Sequence, residues 1–583
     1  VRFSLWAPSH ERIGIELDAG DNPLPMQRQA GGWHRLITDR AGPGSRYRFL
    51  LPDGVPVPDP ASRFQPLDVH GPSEVIDPQA YAWRDHDWHG GPWSASVIYE
   101  LHVGSFTRPG TFLAAIERLD HLAALGVTVV ELMPVADFPG RRNWGYDGVL
   151  PFAPDSSYGR PEHLKALVDA AHERGLMVIL DVVYNHFGPE GNYLSLYAPQ
   201  FFNARHQTPW GAAINFDAEG SDTVREFFIH NALYWLEEFH LDGLRLDAVH
   251  ALVDDSPLHI LEQLAQRVRS AQLPRSAHLI VENEHNQARW LRRERDGNSP
   301  LYDAQWNDDV HHVLHVAASG ESEGYYADYH GSAARLGRAL AQGFAFQGEL
   351  MPYRGSERGE ASAHLPPTAF VAFLQNHDQV GNRAFGERLN ALADPAALRA
   401  VTALYLLLPQ IPMLFMGEEW HSRSPFQFFC DFGGTLGDAV RDGRRQEFAH
   451  FAAFRAAERA ASIPDPQAVQ TFEDSKLDWE RLADPVHAAT LHWYRDLLAV
   501  RRRHIVPLLP RLQEAGEYSI IDEGALVVRW RAADGAQLTL MANLSARPTP
   551  GFPAEQGRLL WQQGKVDAAG TFAPWSLRWT LNA

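Results

Sequence analysis

The stretch Phe239-His240-Leu241-Asp242-Gly243-Leu244-Arg245-Leu246-Asp247-Ala248-Val249-His250-Ala251-Leu252-Val253 decides the fold. Its apolar centre reads as a buried strand, Gly243–Leu246, that ends on a charge pair. Arg245 and Asp247 are two positions apart, so on a strand they point to the same face. A strand that hides apolar residues and then delivers Arg and Asp together suits the mouth of a parallel barrel. By itself the pair reads equally well as a structural ion pair capping a strand.

Three other strand ends repeat the pattern. Ile179-Leu180-Asp181 runs into Asn185-His186, Ile280-Val281-Glu282 into Asn283-Glu284-His285, and Phe373-Leu374-Gln375 into Asn376-His377-Asp378. In a parallel barrel all strand C-termini open on one mouth, so these groups converge there. Gathering several carboxylates is costly unless they are paired or hold protons. Four such ends together point to chemistry more than to capping. Arg245 beside Asp247 should keep that carboxyl ionised, while crowding and the apolar run before Glu282 should keep Glu282 protonated. By alternation Glu284 faces the same side as Glu282, so either could be the acid.

Working outward, the spacing predicts strands over 97–103, 127–132, 176–183, 278–281, 370–374 and 413–416, with helices over 111–125, 161–174, 224–239 and 258–270. Strands alternating with helices, several ending on Gly, predict an α/β (β/α)8 TIM barrel. Residues 1–92 read as short strands between turns, an N-terminal β-sandwich. The barrel with enlarged loops spans 93–505, and strands around Asp534-Gly535 predict a small C-terminal β domain over 506–583.

Composition limits the alternatives. The 583-residue chain carries a net charge of −20 and has no long basic run, which argues against nucleic acid or an anionic membrane as partner. No run reaches the ~18 apolar residues of a membrane span. A single cysteine, Cys430, excludes an intrachain disulfide and fits a reducing, cytoplasmic setting. His311-His312 is too short a cluster to suggest zinc, and no metal or cofactor is expected. The 17 tryptophans suit sugar binding, although a large core also uses them.

The four charged strand ends resemble the signature regions of the α-amylase superfamily of glycoside hydrolases, and Gly126–Pro134 and Ala213–Asp217 resemble its two weaker ones. The resemblance implies Asp247 as nucleophile, Glu282 as general acid/base and Asp378 as the carboxylate that grips sugar hydroxyls. It also implies that Arg245 holds Asp247 ionised, that His186 and His377 bond the sugar, and that Tyr146 stacks on it; His250 is a further candidate. Asn185 matches a position that holds calcium in many amylases, but the other ligands have no match. The stretches Leu51–Pro66, Pro139–Gly148, Tyr302–His312 and Met416–Trp420 look most like the maltooligosyltrehalose trehalohydrolase group. That implies maltooligosyltrehalose and related α-glucans as partners, with Trp306 and Asp308 in a sugar subsite; branching enzymes share the domain order. Oligomeric state is not legible.

Overall fold

The computed structural model describes residues 1–18, 22–449, 462–554 and 556–582. Eight parallel strands close into a barrel: β1 (Ile98–Leu101), β2 (Val129–Leu132), β3 (Met177–Val182), β4 (Gly243–Leu246), β5 (His278–Val281), β6 (Ala304–Trp306), β7 (Phe370–Ala372) and β8 (Ile411–Phe415). β8 pairs back with β1, which seals the ring. The interior is filled by Ile98, Val129, Ile179, Ile280, Val371 and Met413, all buried. A packed interior of this kind leaves only the C-terminal rim for chemistry.

The sequence pattern predicted seven of these strands and missed β6. That strand has three residues and carries Gln305 between Ala304 and Trp306, so no apolar run announces it. Gln305 is paid off locally, its Nε2 donating to the Asn283 carbonyl at 3.0 Å and to Asn286 Oδ1 at 2.8 Å. The expected helix over 111–125 is two shorter ones, Phe112–Ile116 and Leu119–Leu125. Gly126 ends the second with φ +103, a left-handed cap that favours glycine.

Before the barrel lie two antiparallel sheets, one built on Arg2–Trp6 and Trp33–Ile37, the other on Gly14–Leu17 and Arg46–Leu50. After it comes a five-stranded antiparallel sheet in the spatial order Glu517–Asp522, Ala525–Arg531, Gln537–Asn543, Ser576–Asn582, Arg558–Gln563. Among the described residues no helix is long and apolar enough to cross a membrane.

Candidate active site

The site is built around one guanidinium. Arg245, at the end of β4, is fully buried and lies over the Trp306 ring with its Cζ 3.9 Å from the centroid. Its Nη1 donates to Asp181 Oδ2 at 2.7 Å and to Asp247 Oδ1 at 2.9 Å; its Nη2 donates to Glu282 Oε2 at 3.0 Å. Three carboxylates from the ends of β3, β4 and β5 thus share one planar cation, a geometry that suits arginine and not lysine.

The same cation leaves its carboxylates in different states. Burial acts to raise Asp247, but the Arg245 charge and the Asn185 hydrogen bond outweigh it and hold the carboxyl below its ordinary range. Asn185 Nδ2 donates to both the carboxylate and the carbonyl of Asp247, each at 2.9 Å. Glu282 goes the other way: burial pushes it well above the usual range, Arg245 opposes this, and Asp247, Asp378 and Asp308 reinforce it. Desolvation, more than crowding, therefore favours the protonated form of Glu282. Asp181 is raised to about 6, again chiefly by burial.

Backbone conformation fixes the pair. Ala248 has φ +40, an uncommon left-handed value for a residue with a Cβ. This turn aims its N–H at Glu282 Oε2, at 2.8 Å, while Val249 N–H meets the Glu282 carbonyl at 2.9 Å. Tyr146 is set by Gly145, where a Cβ would stand 2.1 Å from the Pro134 carbonyl oxygen. From there Tyr146 donates its hydroxyl to Asp181 Oδ2 at 2.6 Å and stacks on His377 at 5.0 Å. His377 and Asp378 open a short helix, His377–Gly381, that is capped by Asn376. His186 Nε2 donates to the Tyr146 carbonyl at 2.9 Å.

Asp247, Glu282, Asp378, Tyr146, His186 and Asp308 are all partly open at this mouth. A cleft of about 750 Å³ is lined by Glu282, Asp308 and Asp378 together with Glu284, His312 and Tyr353. Asp308, with its carboxyl raised to about 7 mainly by burial, is part of this lining. Two carboxyls on the two nitrogens of one guanidinium, one favoured as ionised and the other as protonated, are the kind of pair that retaining cleavage of a glycosidic bond requires.

Comparison with known proteins then places the chain. A family model described as "Alpha amylase, catalytic domain" matches residues 78–202, and a "Domain of unknown function (DUF3459)" matches 513–579. A Malto-oligosyltrehalose trehalohydrolase from Deinococcus radiodurans is 43% identical over 543 residues, covering 93% of this chain and 87% of the relative. The chain belongs to the malto-oligosyltrehalose trehalohydrolase family. A solved structure from Salmonella typhimurium, described as a candidate alpha amylase, is 47% identical with a TM-score of 0.95, covering 100% of this chain and 97% of that one. A 1,4-alpha-glucan branching enzyme from Pseudoalteromonas atlantica aligns over only 43% of the chain, at 33% identity.

Within this trehalohydrolase-family fold the expected sugar contact at Trp306 is corrected. Trp306 is 1% exposed and packs inside the barrel against Arg245 and Phe373, so it forms no sugar subsite. Its side chain turns inward because β6 is a barrel strand and not a loop. Arg245 is likewise closed off, and acts through the carboxylates it holds. Asn185, at the position associated with calcium, is engaged by Asp247. Glu284 is half exposed and ion-paired to Arg354 at 2.8 Å, whereas Glu282 is held on Arg245. His250 sits beside Glu284 at 3.6 Å, outside the guanidinium cluster.

Glu100 escaped the sequence reading, although it too ends an apolar run, Val97-Ile98-Tyr99. It ion-pairs with His377 Nδ1 and accepts the His377 N–H at 3.1 Å. Burial pulls His377 down, but Glu100 and Asp378 outweigh it and push the imidazole up to about 9. A histidine raised in the folded state contributes stability that is fully present below its ordinary value of 6.5 and is lost as pH rises through about 9. Glu100→Gln removes the largest raising charge. We expect kcat/KM of that variant to fall about tenfold at pH 8 and little at pH 5.5, and its stability to vary less between those values. A pH–rate profile that superimposes on the parent's would contradict this role.

Proposed function

We propose that the enzyme hydrolyses the α-1,4-glucosidic bond joining a maltooligosaccharide to its terminal trehalose, releasing trehalose with retention at the cleaved sugar. The observation that carries the chemistry is the Arg245 guanidinium holding Asp247 on one nitrogen and Glu282 on the other, in surroundings that favour the ionised form of the first and the protonated form of the second. The substrate is supported by the near full-length likeness to trehalohydrolases. Asp247 attacks the anomeric carbon while Glu282 gives its proton to the departing trehalose oxygen. A covalent glycosyl-enzyme forms. Glu282, now a carboxylate, takes a proton from the water that attacks the same carbon and frees Asp247.

Asp378 would grip hydroxyls of the sugar being cleaved, with His186 beside it and Tyr146 against its face; His377, 2% exposed and paired with Glu100, lies behind them and is set aside as the sugar contact the sequence suggested. Asp308 and His250 would contact the leaving side. The units 1–92, 93–505 and 506–583 are part of this proposal, supported by where the parallel barrel gives way to antiparallel sheets. A cytoplasmic setting is supported by a lone, buried cysteine. Incubation with maltooligosyltrehalose and, separately, with amylose tests the reading. Trehalose should appear from the first; new α-1,6 branches from amylose without any trehalose release would replace hydrolysis by branching.

A further inference from the structure

Directly beneath the mouth, one layer of the barrel interior is ionisable. Ile98, Val129 and Ile179 fill the barrel, and by strand alternation Glu100, Glu131 and Asp181, each two positions further on, point inward as well. Glu131 of β2 lies in register with Glu100 of β1, and Asp181 of β3 with Arg245 of β4. Three of these four groups are paired: Glu100 with His377, Asp181 with Arg245. Glu131 is not. It is 1% exposed, and neither of its carboxyl oxygens has a hydrogen-bond partner.

The charges that face Glu131 are Glu100 from β1, Asp181 from β3, Arg245 from β4 and His377 from the segment after β7. Both cations are already committed. Arg245 gives its terminal nitrogens to Asp181, Asp247 and Glu282, and His377 gives Nδ1 to Glu100. A buried, unbonded carboxylate is far more costly than the neutral acid in the same place. Burial accordingly pushes Glu131 well above its ordinary range; Glu100 and Asp181 push the same way, and Arg245 and His377 oppose them without prevailing. Were Glu131 ionised, a further negative charge beside Arg245 would raise Asp247 and Glu282 together and draw a proton onto the nucleophile.

We propose that Glu131 is a positioning residue that works as a neutral acid: by keeping its proton it leaves the charges of Arg245 and His377 to the carboxylates of the mouth. The link to turnover rests on the glycosidase reading above, whereas the proton itself is tested without substrate. A carboxyl that keeps its proton in the fold and releases it on unfolding favours the fold at low pH, and that contribution is lost as pH rises above the ordinary value of 4.5 toward the raised one. Glu131→Gln has no such proton, so its melting temperature should gain at least about 2 °C on the parent's between pH 5 and pH 8. In the infrared at pH 7, the parent-minus-variant spectrum should contain the carbonyl stretch of a protonated carboxyl. With maltotriosyltrehalose, both limbs of the variant's pH–rate profile should stay at the parent's pH. A carboxylate band in the difference spectrum, a melting-temperature gap that does not change with pH, or both limbs displaced to lower pH, the mark of a lost negative charge, would overturn the proposal. Glu131→Leu is equally unable to bind a proton and carries the same comparisons if the glutamine variant does not fold. If the enzyme releases no trehalose, the substrate reading fails while the infrared and melting results still decide the state of Glu131.

Discussion

Asp247→Asn should turn over maltooligosyltrehalose at least about 10⁴-fold more slowly than the parent enzyme, a loss of roughly 5–6 kcal/mol of transition-state stabilisation. The amide has the shape of the carboxylate but neither its charge nor its nucleophilicity, so no glycosyl-enzyme can form. Substrate affinity should change by no more than about threefold, because the rest of the mouth is untouched. Asn185 can still donate to the amide oxygen, so the loop geometry should persist. Single-turnover measurements and calorimetry on the same preparation separate the two quantities. Activity within about 100-fold of the parent would remove Asp247 from the nucleophile's role.

Arg245→Gln should damage both chemistry and folding. Asp181, Asp247 and Glu282 would lose their common cation in a buried setting, and breaking such a network by removing one partner costs about 3–5 kcal/mol. We expect kcat/KM to drop at least about 10³-fold and the urea midpoint to fall measurably. The pH dependence carries the sharper test. Arg245 lowers both Asp247 and Glu282, so its removal raises both. The acid limb, which needs Asp247 ionised, and the alkaline limb, which needs Glu282 protonated, should therefore both move to higher pH. Arg245→Lys keeps a charge but cannot reach three carboxylates from one plane. It should fold and show the same shifts at smaller size. Limbs that stay in place in the lysine variant would mean that the guanidinium does not set these ionisations.

The barrel was legible because β1 to β5, β7 and β8 are apolar runs bounded by glycine or by charge. β6 was not, because its specificity lies in a partner: the Gln305 Nε2 donates to Asn283 and Asn286 of the neighbouring segment. The carboxylates gathered at the barrel mouth were readable from their places at strand ends. The direction of each side chain was harder to read. Trp306 has the composition of a sugar site, and only the strand's pleat shows that it points into the core. Glu100 carried the same signature as its four companions, but its role depends on closure of β8 onto β1, which no local pattern encodes.

The stacking of Arg245 on Trp306 has a practical corollary for anyone seeking a more heat-resistant variant. In many barrels the interior can be repacked for durability while the rim is left alone. Here the floor of the rim is itself a core residue, and the ring that fills the barrel also levels the cation above it. Redesign at Trp306, Phe373 or Ile280 would tilt that cation and retune two ionisations at once, so thermal tolerance and pH optimum should evolve in this protein as one trait.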